Sequence, residues 1–148
     1  MIFKTIIIFA TFIAAFNVYA KKHTLADFLT HFDYDTRIEM KAGTRELVDL
    51  LQEEKAQLID IRFKEEYEAW HMGVAKSIPL NELPNRLNEL DKNKIIATAC
   101  PHKDRAIVAM AFLKTKGYET MYLKDGLIGL AEFLRGDNAN DFVQLTHK

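Results

Sequence analysis

Lys94-Ile-Ile-Ala-Thr-Ala-Cys100-Pro-His-Lys-Asp-Arg105 decides the fold of this chain. Residues 94–99 are an apolar run of strand length. The polar turn after Cys100 leads into Ala106-Ile-Val-Ala-Met-Ala-Phe-Leu-Lys-Thr-Lys116, a buried-helix pattern closed by Gly117. Cys100, the one cysteine of the chain, therefore stands where a strand hands over to a helix. Backbone N–H groups and the positive end of a helix dipole converge at such a turn and favour thiolate over thiol. His102, Lys103 and Arg105 add positive charge against the single Asp104. The competing reading is an inert buried cysteine. A core cysteine belongs inside the apolar run, however, and this one sits at its exit among charged residues.

Working outward, strand-like and helix-like stretches alternate. Leu25 to Phe32 reads as a short amphipathic helix and Thr36 to Met40 as a short strand. Thr44 is a candidate N-cap for a helix carrying Leu47, Leu50 and Leu51. Gln57 to Ile61 reads as a strand, Lys64 to Trp70 as a helical turn or two, and Lys76 to Ile78 as a strand stopped by Pro79. Glu82 to Leu90 reads as a helix with Pro84 in its first turn, Glu119 to Leu123 as a strand, and Leu127 to Leu134 as the last helix. No hairpin signal separates the strands. The pattern predicts an α/β fold with a parallel sheet covered on both faces, and sites in such folds form at the carboxyl ends of strands, where Cys100 falls.

The ends read differently. Met1 to Lys4 is a short basic start, Thr5 to Phe16 is almost wholly apolar, and Asn17-Val-Tyr-Ala20 places small residues at −3 and −1 of a cleavage site. Residues 1–20 thus read as a secretory signal peptide, with an uncleaved anchor as the alternative; the apolar stretch is short against the roughly 20 residues of a membrane span. Export, to the periplasm, is the expectation, with no stable membrane association after cleavage. Residues 21–43 form an N-terminal extension, 44–136 the domain and 137–148 a tail. Losing Lys4 leaves 19 basic against 21 acidic side chains, a net charge of −2 that argues against nucleic acid as a partner. His23, His31 and His147 show no ligand spacing, so no metal is expected.

The landmarks in order resemble the rhodanese-like family of sulfurtransferases. Leu58-Ile-Asp60-Ile-Arg62 with Glu66-Tyr67 resembles the first signature, and His71, Ala75 and Ile78-Pro79 resemble the segment after it. Cys100 to Arg105 resembles the six-residue active-site loop; Gly117-Tyr118 and Asp125-Gly126 resemble the landmarks that follow. The resemblance implies a three-layer sandwich with a five-stranded parallel sheet, a Cys100 nucleophile that takes up sulfane sulfur as a persulfide, and no cofactor. It implies a small sulfur-donor anion such as thiosulfate, and a thiol (a protein thiol included) or cyanide as acceptor. His102, Lys103 and Arg105 are the expected substrate-binding residues, with Pro101 and Asp104 completing the loop.

Departures from the family pattern are specific. Trp70 stands where glycine is usual, Gly73-Val74 replaces Pro-Gly, Asp125 replaces glycine and Leu130 a common tryptophan; the last two read as packing changes. Pro101 has no N–H to offer, and Asp104 brings negative charge to an anion cradle. These two keep a second reading open, a non-turnover sulfur carrier or docking module. A cysteine phosphatase or arsenate reductase is the third reading, and it fits less well because the loop is one residue shorter than a Cys-x5-Arg cradle. Elsewhere, Asp60 and Arg62 read as a structural ion pair extending to Glu66, His71 as a hydrogen-bonded structural histidine, and Ile107, Val108, Ala111 and Phe112 as core.

Overall fold

The computed structural model describes residues 24–146, so the expected leader over residues 1–20 lies outside the described residues. Strands β1 (Lys41–Ala42), β2 (Ala56–Asp60), β3 (Lys76–Ser77), β4 (Ile95–Ala99) and β5 (Thr120–Leu123) form one sheet in the order β1-β5-β4-β2-β3. Every pairing is parallel. The helices are α1 (Leu25–Thr30), α2 (Tyr34–Glu39), α3 (Thr44–Gln52), α4 (Lys64–Ala69), α5 (Asp104–Thr115), α6 (Gly126–Phe133) and α7 (Asp137–Thr146).

Side chains of successive strand residues point to opposite faces, and this alternation builds two cores. Leu58, Ala97 and Leu123 pack on one face with Leu47 and Leu51 of α3, Leu127 of α6 and Phe142 of α7. Ile59, Ile96 and Tyr122 pack on the other with Ala106, Met110 and Leu113 of α5. Both faces are covered, as a parallel sheet requires, and the expected sandwich is the observed one.

Four local expectations shift. Thr36 to Met40 is not a strand, because Asp33 caps α2: its carboxylate accepts the Thr36 N–H at 2.8 Å and hydroxyl at 2.7 Å. The edge strand is the two-residue β1 just after it. Glu82 to Leu90 is not a continuous helix but two 3₁₀ turns, Leu83–Asn85 and Leu87–Glu89, with Pro84 in the first and Leu90 already extended. The cap of α3 is Gly43, and Thr44 is the first helical residue. The tail carries α7, whose Phe142 is buried against the core.

In α5 the buried stripe is Ala106, Ala109, Met110 and Leu113, while Val108 is exposed and Ile107 and Phe112 are half-buried. At about 3.6 residues per turn this buried stripe lies on nearly the opposite side of the helix from the expected Ile107, Val108, Ala111 and Phe112 face, and Ala111 too is only half-buried.

Strand order fixes where a site can form. From β2 the chain moves outward to β3; from β4 it moves the opposite way to β5. The loops leaving β2 and β4 therefore diverge side by side, opening a crevice at the carboxyl ends of these two strands.

Candidate active site at the β4–α5 turn

Cys100 follows β4 directly and is fully buried. Its sulfur faces the backbone N–H groups of Ala106, His102 and Arg105, which favour a charge on it. Opposing them, burial and the nearby Asp104 carboxylate push the thiol above its ordinary value, and burial is the largest cause. The net direction is upward, the reverse of the sequence expectation. The thiol donates to Asp104 Oδ1 at 3.6 Å. Asp104 itself is held below the usual carboxylate range, first by the Arg105 N–H, so it stays ionised at neutral pH.

The loop is clamped from behind. Leu127 N–H donates to the Cys100 carbonyl at 2.8 Å and Ile128 N–H to the Pro101 carbonyl at 3.3 Å. Thr98 Oγ1 donates to the Ala106 carbonyl at 2.8 Å, tying β4 to the first turn of α5. Gly126, at φ +66°, lies so close that a Cβ there would stand 2.2 Å from the Pro101 carbonyl oxygen and 2.3 Å from that of His102. Only glycine fits both the conformation and the gap.

Arg105 is bound first by Glu66, and its charge also acts on Cys100 and Asp104. Its two terminal nitrogens donate to Glu66 at 2.6 and 2.8 Å, and this guanidinium holds the Glu66 carboxyl down at about 2. Glu66 also accepts the Phe63 N–H at 3.1 Å, so one carboxylate ties the start of α4 to the start of α5. Of the other expected substrate-binding residues, His102 and Lys103 have exposed side chains at the loop, with the His102 N–H turned to the sulfur. Pro101, half-buried, contributes no donor; the three amides come from positions beyond it. Among the described residues, no group of three or more His, Cys, Asp or Glu side chains stands close enough to hold a metal ion.

Beside the site, Asp60 and Arg62 form the expected buried ion pair, with Nη2 to Oδ2 at 2.6 Å. Glu66 is bonded by Arg105 and feels Arg62 only as a weaker, more distant charge. The pair extends to Trp70, whose carbonyl accepts from Arg62 Nη2 at 2.7 Å and whose ring lies 4.2 Å from the guanidinium carbon. His71 is hydrogen-bonded through Nδ1 to the Tyr67 carbonyl at 3.0 Å and stacks on that tyrosine ring. Sequence reasoning missed the Glu66–Arg105 link and the role of Trp70. The signal for the first was Glu66 at the third position of a helix, where a carboxylate caps; the signal for the second was the tryptophan in place of glycine.

The model of the rhodanese-like domain family matches residues 44–132. The thiosulfate sulfurtransferase GlpE of Pseudomonas syringae is 26% identical over 88 residues, covering 60% of this chain and 83% of that protein. A putative sulfur carrier protein of Bacillus subtilis, YrkF, is 34% identical over 67 residues, covering 45% of this chain and 36% of its own length. The chain spans between 36% and 66% of the length of the Bacillus relatives it matches. Among solved structures, a rhodanese-like domain protein of Staphylococcus aureus superposes with a TM-score of 0.56 at 28% identity, over 61% of this chain and 89% of that one.

Proposed function

The chain belongs to the rhodanese-like domain family, and on that premise we propose that it is an exported sulfurtransferase. It moves a sulfane sulfur from thiosulfate or a similar donor to a thiol or cyanide through a Cys100 persulfide. The observation that carries this reading is the Cys100 sulfur, placed at the β4–α5 turn and faced by three backbone N–H groups. In the first half-reaction Cys100 attacks the outer sulfur of the donor. The new S–S bond forms as the donor's own breaks, and its electron pair leaves on sulfite or on a thiolate. The amides of His102, Arg105 and Ala106 offset negative charge on the cysteine sulfur as it attacks. In the second half-reaction an acceptor takes the outer sulfur and Cys100 is released, a ping-pong cycle.

The test is intact mass after exposure to a sulfane donor. One added sulfur atom, removed by cyanide or dithiothreitol and absent in Cys100→Ser, supports the reading; an adduct that persists in Cys100→Ser overturns it. Export is tested by N-terminal sequencing from a native-like host, where cleavage after Ala20 gives a chain starting at Lys21 and an anchor gives Met1.

The second reading is a carrier that loads once and hands its sulfur to a partner. A thiol pushed toward its neutral form by burial and by Asp104 favours it, as does the likeness to YrkF. Repeated turnover of a small donor with cyanide separates the enzyme from the carrier, which loads a single sulfur and stops.

A further inference from the structure

We propose that Asp104 is the specificity-determining residue of the cradle. It disfavours doubly charged donors such as thiosulfate against donors whose sulfane sulfur is borne on an uncharged small thiol. The inference rests on the sulfurtransferase reading above and narrows its substrate class.

Three observations carry it. First, the Asp104 carboxylate is itself exposed yet stands 3.6 Å from a fully buried sulfur, so it lies at the approach to that sulfur from solvent. An S–S bond is only about 2.05 Å long. A sulfur bonding to Cys100 therefore lies nearer to Sγ than the carboxylate does, and the group it leaves behind is at most one further S–S length away. Second, the charge of the loop arginine is largely offset by a carboxylate: both terminal nitrogens of Arg105 donate to Glu66, which weakens what it can lend to a bound dianion. Third, the three loop amides face the cysteine sulfur, and Pro101 has none to add for a sulfonate.

The two donors balance as follows. With thiosulfate, Cys100–SH and S–SO₃²⁻ give Cys100–S–SH and SO₃²⁻: the thiol proton ends on the transferred sulfur, and the S–S electron pair leaves on sulfite. With a persulfide, Cys100–SH and R–S–S⁻ give Cys100–S–SH and R–S⁻, with the same bond made and the pair leaving on the thiolate. No outside oxidant or reductant enters either step. The difference is charge. Thiosulfate brings two negative charges, packed around the scissile bond, against an ionised carboxylate; the persulfide of an uncharged thiol brings at most one.

The experiment follows persulfide formation on the mature chain by rapid-quench intact mass. The donors are thiosulfate and the persulfide of 2-mercaptoethanol, and the chains are wild type, Asp104→Asn and Asp104→Ser. Loss of one largely solvent-screened charge should shift the ratio of the two loading rates about tenfold toward thiosulfate in both variants. Added neutral salt should speed thiosulfate loading more in wild type than in Asp104→Asn, a response that a merely structural aspartate does not give. An unchanged donor ratio in well-folded variants overturns the charge filter while leaving sulfur transfer intact. If neither donor loads the wild-type chain, the sulfurtransferase reading falls and this inference falls with it.

Discussion

Replacing Gly126 with alanine should damage both the fold and the cysteine loop, and the size of the damage follows from two separable causes. At φ +66° an alanine sits in the left-handed region, which costs about 1–2 kcal/mol. Its Cβ would also meet the Pro101 oxygen at 2.2 Å, the His102 oxygen at 2.3 Å and the His102 Cα at 2.7 Å. These are backbone atoms that cannot rotate aside, so the loop or the start of α6 must shift. Overpacking of this kind costs about 1–3 kcal/mol. Together the two give about 2–5 kcal/mol, or a fall of roughly 10–15 °C in Tm for a loss near the middle of that range.

Two other glycines separate the causes. Gly117 has φ +79° with nothing within 4 Å of where a methyl would stand, so Gly117→Ala carries the conformational cost alone. Gly73 has neither a positive φ nor a close neighbour, so Gly73→Ala should be neutral or stabilise by about 0.4–1 kcal/mol through the unfolded chain. Urea denaturation of the three variants gives the ranking, and persulfide formation measured alongside reports the loop. Gly126→Ala should also load sulfur slowly, because a shift there breaks the Leu127 and Ile128 bonds to the Cys100 and Pro101 carbonyls. If Gly126→Ala costs no more than Gly117→Ala, the contact is absorbed without strain and α6 does not pin the loop.

Three further outcomes are expected. Glu66, held at about 2 against an ordinary 4.5, contributes stability above pH 4.5 that is lost as pH falls from 4.5 toward 2. Glu66→Gln should flatten that acid limb in pH-dependent melts, leaving the share that Glu89, also held at about 2, supplies; an unchanged slope would break the assignment. Arg62→Met strands a buried Asp60 and should cost about 3–5 kcal/mol by denaturation, with Asp60→Asn added on top recovering part of the loss; equal costs for the single and double variants would argue against a buried uncompensated charge. Iodoacetamide alkylation of Cys100 against pH should give a midpoint above that of a free thiol, lowered in Asp104→Asn, and a midpoint below the free-thiol value would show that the amides outweigh burial and Asp104.

What the chain announced in its order of residues was mostly local. The apolar run into Cys100 and the pattern after it locate β4 and α5, because strand and helix lengths are legible within a few positions, but apolar residues all round α5 hid which of its faces is buried. Where period is ambiguous, reading from sequence failed. Leu83, Leu87 and Leu90 suit one face of a helix, yet Pro84 and the Arg86 pairs with Glu82 and Glu89 hold that stretch as two tight turns. Thr36 and Ile38 look strand-like until Asp33 caps them into α2. A two-residue strand such as β1 has no pattern of its own; its partner β5 defines it.

The partners of individual polar side chains were the part no periodicity could carry, and three of them fall where the chain departs from its family. Asp125, read as a packing change, accepts the Thr44 N–H at 2.8 Å and hydroxyl at 3.1 Å, so it caps α3 from 81 residues away. Trp70 closes over the buried Arg62. Asp104 takes the hydrogen bond of the Cys100 thiol. A residue that only filled space would leave a polar group facing apolar neighbours or open water, but each of these three has a specific atom to hold. Trp70 stiffens the loop after β2 and Asp125 ties the turns after β1 and β5, where a glycine would have left a gap or a bare helix end. The third alone touches the reacting atom. Changes at Asp125 and Trp70 should therefore be read in stability, and changes at Asp104 in which donor the sulfur accepts.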